Sequence, residues 1–215
     1  DHRDLHSFPT RRSSDLMART EANIKMLREH TVYGNEITNT ARITKMNMIL
    51  AGDGHSNINM CDSLANPIDG KATYKDNDGN EHHYGYDIVL ANMPYSQKTK
   101  HGELYDLPSK NGDSICVQHC MKAVKSTSPN GRMALVVPEG FLFRKDLTKT
   151  REYLLENCQL QSIISLPQGV FLPYTGVKTD IIYATKVNKK IKKSEKKKEF
   201  WYFDVKSDGY TLDNH

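Results

Sequence analysis

Strand-like and helix-like patterns of apolar residues alternate along most of the chain. Helical spacing predicts helices over residues 18–30, 39–50, 113–125 and 147–157. Short apolar runs predict strands over residues 31–37, 57–61, 86–91, 132–137, 161–166, 178–186 and 200–205. Asn39 and Asp113 are the predicted N-caps of the second and third helices. Alternating strands and helices favour an α/β fold on a mostly parallel sheet with right-handed crossovers.

The C-terminal part departs from this alternation. Only the eleven residues 167–177 separate the strands predicted at 161–166 and 178–186. This link is too short for a crossover helix, so the two strands are predicted to pair as an antiparallel hairpin.

Residues 86–91, Tyr-Asp-Ile-Val-Leu-Ala, have continuous apolar character and are predicted to form a buried strand. The polar stretches on either side, 66–85 and 98–112, are predicted to be loops. The first is rich in turn-forming residues and contains Asp78-Gly79. The second is long enough to be either functional or disordered.

Composition divides the chain into four segments. Residues 1–16 show no periodicity and resemble translated sequencing-adapter read-through, so they are taken as a foreign leader. Residues 17–187 are predicted to form part of the main α/β domain, residues 188–199 a lysine-rich loop, and residues 200–215 a last strand with the start of a following segment.

The net charge of +4 is local, because residues 186–199 contain eight lysines and two glutamates. The remaining residues together carry a small net negative charge. The favoured interpretation of the lysines is a solvated linker, and the alternative is an arm that contacts phosphates.

The cysteines and the hydropathy indicate a cytoplasmic protein. Cys61, Cys116, Cys120 and Cys158 form no CxxC pair and lie in apolar segments, which favours reduced core thiols. His119, between Cys116 and Cys120, makes a metal site conceivable, but no second ligand pair follows at zinc spacing, so no metal is predicted. No run of eighteen apolar residues is present to span a membrane.

Polar residues follow three of the predicted strands. Ligands of open parallel sheets bind at the carboxyl ends of the strands, where Glu36, Asp62 and Asn92 occur. Each could instead cap the next helix. The third begins the tetrapeptide Asn92-Met93-Pro94-Tyr95, which directly follows the strand at 86–91.

This strand and tetrapeptide resemble the Asn-Pro-Pro-Tyr/Phe motif of amino-group DNA methyltransferases. Further segments resemble the modification subunits of type I restriction-modification systems, an N6-adenine DNA methyltransferase family. In chain order they are residues 32–36, 44–48, 59–64, 133–143, 164–174 and 201–210. The resemblance implies a Rossmann-like methyltransferase sheet, mostly parallel with an antiparallel C-terminal hairpin, and makes residues 17–187 a partial methyltransferase catalytic domain.

The tetrapeptide suits methyl transfer to the N6 atom of adenine. The side-chain carbonyl of Asn92 and the backbone carbonyl of Met93 can each accept one amino hydrogen and direct the nitrogen lone pair at the methyl donor. Pro94 fixes the approach, and Tyr95 stacks on an adenine that has swung out of the DNA helix.

The resemblance also implies S-adenosylmethionine as cofactor and DNA as substrate. It assigns the cofactor's ribose hydroxyls to Glu36 and its adenine amino group to Asp62, with Asn92 beside the cofactor at the site of transfer. It further implies a specificity subunit, a second modification subunit and a restriction subunit as partners.

The sequence departs from the family pattern twice. Met93 stands where the motif has its first proline, which keeps the backbone carbonyl but not the rigidity of the ring. The glycine-rich cofactor loop expected upstream of Glu36 is not found, so an N-terminally truncated fragment with weak cofactor binding is expected.

Three alternatives remain open. A nicotinamide-dependent oxidoreductase is disfavoured because no GxGxxG follows a predicted strand. A catalytically silent DNA-binding or assembly fragment is compatible with Met93 and the lysines. Methylation of RNA or of a protein glutamine is compatible with the tetrapeptide, but the type I-like segments argue against it.

Overall fold

The computed structural model describes residues 20–21, 23–25, 31–51, 57–65, 73–75, 81–83, 85–126, 131–192, 199–207 and 209. The leader predicted at 1–16 lies outside these residues. The chain divides into two compact units, Asp1–Ser63 and Leu64–His215. No helix in the described part of the chain is long and apolar enough to cross a membrane.

The first unit contains a parallel strand pair joined by a helix. Strand β1 (Gly34–Glu36) pairs with β2 (Ile58–Met60), and helix α1 (Thr40–Leu50) connects them, which confirms the predicted strand–helix–strand order. Asn39 occupies the N-cap position but makes no side-chain capping bond. The Thr38 hydroxyl instead accepts from the Thr40 amide at 3.2 Å. The position of the cap was therefore predicted correctly, but the residue whose side chain makes the bond was not. The described part of the predicted helix at 18–30 is helical at residues 21 and 23–25.

The second unit begins with a short hairpin inside the stretch predicted to be a loop. Strands β3 (Thr73–Lys75) and β4 (Glu81–His83) pair antiparallel. Asp78-Gly79 lies outside the described residues. The prediction of an uninterrupted loop was therefore wrong, since two short runs separated by five residues that include a glycine are typical of a hairpin.

The main sheet has five strands in the order β5-β6-β8-β7-β9. These are β5 (Ile88–Asn92), β6 (Arg132–Pro138), β7 (Cys158–Ser165), β8 (Thr179–Lys186) and β9 (Trp201–Asp204). All run parallel to one another except β8, which is antiparallel to both of its neighbours. The predicted mostly parallel sheet with a C-terminal hairpin is confirmed, and the carboxyl ends of β5, β6, β7 and β9 share one edge.

Strand β5 was predicted to be buried, but only one of its faces is covered. Ile88 and Leu90 are 54% and 75% exposed, whereas Val89 and Ala91 pack against the core. In the described part of the chain β5 is the first strand of its sheet and pairs with β6 alone. An edge strand that is covered on one face alternates between exposed and covered residues, even when its sequence is continuously apolar.

Helices pack on one face of this sheet. They are α2 (Gly112–Ala123), α3 (Gly140–Phe143) and α4 (Thr148–Asn157). Asn111, in extended conformation, caps α2 by accepting from the Asp113 amide at 2.9 Å. Asp113 was therefore wrongly predicted as the cap, because it already lies in the first turn of the helix.

The core is a single apolar cluster between the sheet and these helices. Its completely buried members are Val117, Met133, Leu135, Val137, Phe141 and Ala184. Cys116, Cys120 and Cys158 are also buried there, and all four cysteines are thiols outside disulfide bonds, as predicted. Burial raises the pKa of Cys120 to about 12 and that of Cys158 to about 11, so both remain protonated at neutral pH. Cys61 is exposed, contrary to the prediction, because it lies just beyond the end of β2.

The loop over residues 98–111 is ordered by side chains of α2 and α4. Buried Gln118 accepts from the Leu107 amide at 2.8 Å and donates to the Leu107 carbonyl at 2.9 Å. Asp106 accepts from the Tyr153 hydroxyl and from Lys122 Nζ, the latter at 3.0 Å. The loop that follows the tetrapeptide is therefore held in place on the body of the unit.

A pH-dependent contribution to stability is expected from Asp106. The hydrogen bond from Tyr153, and then the one from Lys122, lowers the pKa of Asp106. A lowered folded pKa stabilises the fold above the unfolded value of about 4, and this contribution is lost as the pH falls through the folded pKa. We expect Tyr153→Phe to lower the melting temperature at neutral pH and to flatten its fall between about pH 5 and pH 2.

Circular dichroism melts at a series of pH values measure this effect. Tyr174→Phe is the matched control, since Tyr174 is 92% exposed. Parallel pH profiles for the Tyr153→Phe variant and the wild type would show that the hydrogen bond contributes no pH-dependent stability.

Candidate functional site

The tetrapeptide forms a turn at the carboxyl end of β5. Asn92 is the last residue of the strand, pairs with Val136 of β6 and is exposed. Met93 is buried and belongs to the apolar core, Pro94 is exposed and Tyr95 is half-buried. The Met93 side chain thus anchors the turn by packing, in place of a restraint from a proline ring, while Asn92 is presented at the surface.

Asn92 and Tyr95 are directly hydrogen-bonded. The Tyr95 hydroxyl donates to Asn92 Oδ1 at 2.9 Å. Burial raises the pKa of Tyr95, so the hydroxyl keeps its proton at neutral pH and remains a donor. An amide oxygen has two lone pairs, so Asn92 Oδ1 can accept a second hydrogen from a ligand. The sequence predicted both residues for the site but not this bond, which fixes the orientation of the Asn92 amide.

The first turn of α2 holds the residues that follow the tetrapeptide. The Ser96 amide donates to Asp113 Oδ1 at 2.8 Å, and the Gly112 amide donates to the Gln97 carbonyl at 2.7 Å. Arg144, just after α3, lies 3.5 Å from Asp113 Oδ2. The sequence predicts Asp113 only as a cap and gives no role to Arg144, because nothing in the local pattern of either residue shows that it approaches Ser96.

Another acidic residue that the sequence analysis missed lies at this edge of the sheet. Asp180, near the start of β8, is 1% exposed and pairs with Val137 of β6 and Ser165 of β7. Burial raises the pKa of Asp180. The sequence did not indicate Asp180 as a site residue, because the segment around it has the apolar pattern of an ordinary strand.

Glu36 and Asp62 lie at the carboxyl ends of the strand pair in the first unit. Glu36 pairs with Met60, two residues before Asp62, so the two acids share one edge of this pair. Glu36 Oε1 accepts from the Thr38 amide at 2.8 Å and from the Thr38 hydroxyl at 2.7 Å, and these bonds lower the pKa of Glu36. Glu36 is therefore an ionised acceptor at neutral pH. It orders the turn before α1 through Thr38 but does not itself bond an amide of the helix, whose first amide donates to the Thr38 hydroxyl.

The lysine-rich loop at 188–199 joins the end of β8 to the start of β9. Because β8 is antiparallel to β6, the end of β8, after which this segment begins, lies at the opposite edge of the sheet from Asn92. A strand of the length of β6 separates the two edges by roughly 20 Å at about 3.3 Å per residue.

The sheet order, the antiparallel β8 and the polar turn after β5 define a Rossmann-like fold of the methyltransferase type. A chain from a structure of a type I restriction-modification system superposes with a TM-score of 0.71 at 25% identity, over 90% of this chain and 37% of that one. The EcoKI M protein, a type I restriction enzyme, gives a TM-score of 0.68 at 23% identity, over 92% and 40%.

The sequence narrows this class to one family. The chain belongs to the N-6 DNA methylase family, whose model matches residues 9–215. The EcoEI type I methylase subunit of Escherichia coli is 31% identical over 120 residues, which are 55% of this chain and 23% of that protein. The StySPI methylase subunit of Salmonella potsdam is 34% identical over 103 residues, or 46% and 19%. The predicted family is confirmed, and the matched region spans less than a quarter of these relatives.

Proposed function

We propose that the chain is the base-holding part of an adenine-N6 DNA methyltransferase, the modification subunit of a type I restriction-modification complex. The observation that carries this proposal is the turn after β5. It exposes the Asn92 amide, buries Met93 in the core and hydrogen-bonds Tyr95 to Asn92 at 2.9 Å. This combination suits a planar ligand with an exocyclic amino group.

The reaction needs help at the nucleophile, because the N6 lone pair of adenine is delocalised into the ring. Asn92 Oδ1 and the backbone carbonyl of Met93 each accept one amino hydrogen, which favours a pyramidal nitrogen with a localised lone pair. Tyr95 donates to the same Asn92 oxygen and so keeps the carbonyl directed. Because orientation supplies the acceleration, no side chain has to act as a strong base.

The target adenine has to leave the DNA helix to reach this turn. Extrusion costs a few kcal/mol, and stacking on an aromatic ring returns about 1–3 kcal/mol of it. Tyr95, half-buried beside Asn92, offers such a ring, and Pro94 restricts the backbone between them.

The acids of the first unit fit the adenosine part of S-adenosylmethionine. Glu36 would accept from the ribose hydroxyls, since its ionised carboxylate has acceptor capacity beyond the bonds to Thr38. Asp62, at the same strand edge, would accept from the adenine amino group. S-adenosylmethionine would supply a methyl group on a sulfonium, whose sulfur leaves as a neutral thioether, and N6 would release one proton to solvent, so the transfer needs no activation by a metal.

The similarity to type I methylase subunits supports the proposed partners. They are DNA, a specificity subunit that reads the sequence, a second modification subunit and a restriction subunit. The EcoKI M protein and the chain from the type I complex share the fold of this chain, which supports the same assembly.

The test is identification of the methylated base. The chain is incubated with duplex DNA and isotopically labelled S-adenosylmethionine at millimolar concentration, and the digested nucleosides are separated by mass spectrometry. We expect label in N6-methyladenine. Label on cytosine, or on RNA alone, would overturn the proposed acceptor. No label, with binding of both DNA and cofactor shown by calorimetry, would identify a catalytically silent module.

A further inference from the structure

We propose that Asp113 is a positioning residue of the turn, which acts by holding the backbone of Ser96. Its carboxylate is 2% exposed and accepts from the Ser96 amide at 2.8 Å. The effect on methyl transfer rests on the proposed function, whereas the effect on the turn does not.

Ser96 has a backbone conformation that needs support from outside the turn. Its φ is 55°, in the left-handed region, which residues with a Cβ disfavour. The hydrogen bond to a carboxylate is charge-assisted and therefore stronger than a bond between neutral groups. Because Ser96 directly follows Tyr95, its backbone angles set how Tyr95 lies relative to Gln97, which is fastened to α2.

The Asp113 carboxylate is itself fixed. Asn111 caps α2 and takes over the capping bond, which leaves the Asp113 side chain available to the turn. Arg144 Nη1 lies 3.5 Å from Asp113 Oδ2, and Arg144 is in turn bonded to Asp146 at 2.6 Å. Asp146 Oδ2 also accepts from Asn111 Nδ2 at 3.2 Å, which closes the network. A buried negative charge in this position is stabilised by the positive end of the helix dipole and by the neighbouring arginine.

A second hydrogen bond, between Gly112 and Gln97, also attaches the turn to the first turn of α2. The Gly112 amide donates to the Gln97 carbonyl at 2.7 Å, and a Cβ at Gly112 would lie 2.6 Å from that oxygen. The backbone on both sides of the Ser96–Gln97 peptide is therefore fastened to the first turn of α2. The bond from the Ser96 amide ends on the Asp113 side chain, so a substitution at position 113 removes it without changing the backbone of α2.

Asp113 has no direct part in the proposed chemistry, since its carboxylate is enclosed by Ser96, Arg144 and the helix. Removing the Asp113 carboxylate does not change Asn92 or Tyr95 themselves. It allows the turn to move out of the conformation in which these two residues are hydrogen-bonded. The expected signature is a lower turnover number with little change in KM, because misorientation slows the chemical step more than it weakens binding.

Three variants of the chain test this proposal. Asp113→Ala removes the acceptor, Asp113→Asn keeps an oxygen at the same place, and Ser114→Ala is the matched control. Ser114 is also buried in α2 and bonds Thr150 at 2.7 Å, but it is not bonded to the turn. Amide hydrogen exchange by NMR reports the Ser96 N–H directly. We expect Asp113→Ala to speed its exchange at least about 10-fold, while Ser114→Ala stays near the wild type and the Asn variant, with a neutral acceptor, lies between the two.

Methyl transfer provides the second measurement. At saturating DNA and cofactor we expect Asp113→Ala to lower kcat by about 100-fold, with rescue in Asp113→Asn. Unchanged Ser96 exchange in Asp113→Ala, or equal acceleration in Ser114→Ala, would overturn the positioning role. A wild-type chain that does not methylate adenine counts against the proposed function instead, and Ser96 exchange then decides the role of Asp113.

Discussion

Replacing Asn92 with alanine is expected to lower methyl transfer to adenine by at least about 100-fold, the usual effect of removing one preorganised hydrogen-bonding group from a transition state. The substitution deletes the acceptor for one amino hydrogen and the partner of the Tyr95 hydroxyl, which donates to it at 2.9 Å. Folding should be nearly unaffected, because Asn92 is exposed at the end of β5. Initial rates of label incorporation and a thermal melt measure the two effects.

Two further variants sharpen this experiment. Asn92→Asp keeps an oxygen acceptor and is expected to retain more activity than Asn92→Ala. Asn188→Ala removes an exposed asparagine at the opposite edge of the sheet and is expected to behave as the wild type. Activity of Asn92→Ala within a few-fold of the wild type would remove Asn92, and with it the turn, from the proposed mechanism.

Replacing Phe141 with alanine is expected to lower the free energy of unfolding by about 3–5 kcal/mol, the range for deleting a fully buried aromatic ring. Phe141 is completely buried in the apolar cluster. Its helix, α3, directly follows β6, and the Phe141 carbonyl accepts from Arg151 of α4 at 2.8 Å. A cavity at this point would therefore separate the sheet from the helices that cover it. Urea denaturation followed by circular dichroism measures the change.

The same helix supplies the control. Phe143 lies two residues away and is 68% exposed, so Phe143→Ala is expected to change the free energy of unfolding by less than about 0.5 kcal/mol. Equal losses for the two variants would mean that α3 does not pack on the sheet as described.

Much of the topology could be predicted from local sequence. The link at 167–177 is too short for a crossover, and the strands on either side pair antiparallel, as β7 and β8. The strand and helix bounds agree to within a few residues, since the apolar spacing of each segment is set by the face that it buries. The family and the position of the turn could also be predicted from the sequence, because the tetrapeptide directly follows its strand in the chain.

Local sequence failed where the environment of a segment depends on distant residues. The continuous apolar run of β5 predicted burial, but Leu90 is 75% exposed because burial depends on what packs against each face of a strand. The length of the polar stretch at 98–112 left a functional and a disordered loop equally open, and only the structure shows that Gln118 and Tyr153 bond it to the helices. Hydrogen bonds between residues far apart in the chain leave no periodic trace in either partner.

The sequence by itself therefore determined the order of the longer helices and strands, the antiparallel pairing of β7 with β8 and the identity of the residues after β5, since each depends on local spacing. The short β3–β4 hairpin and α3 were not predicted. Only the tertiary structure decided that Met93 anchors the turn in the core, that Tyr95 bonds Asn92, and that Asp113 holds Ser96 in a left-handed conformation. The physical reason is that local spacing fixes which side chains share a face, whereas the partner of each side chain is fixed by the packing of separate elements.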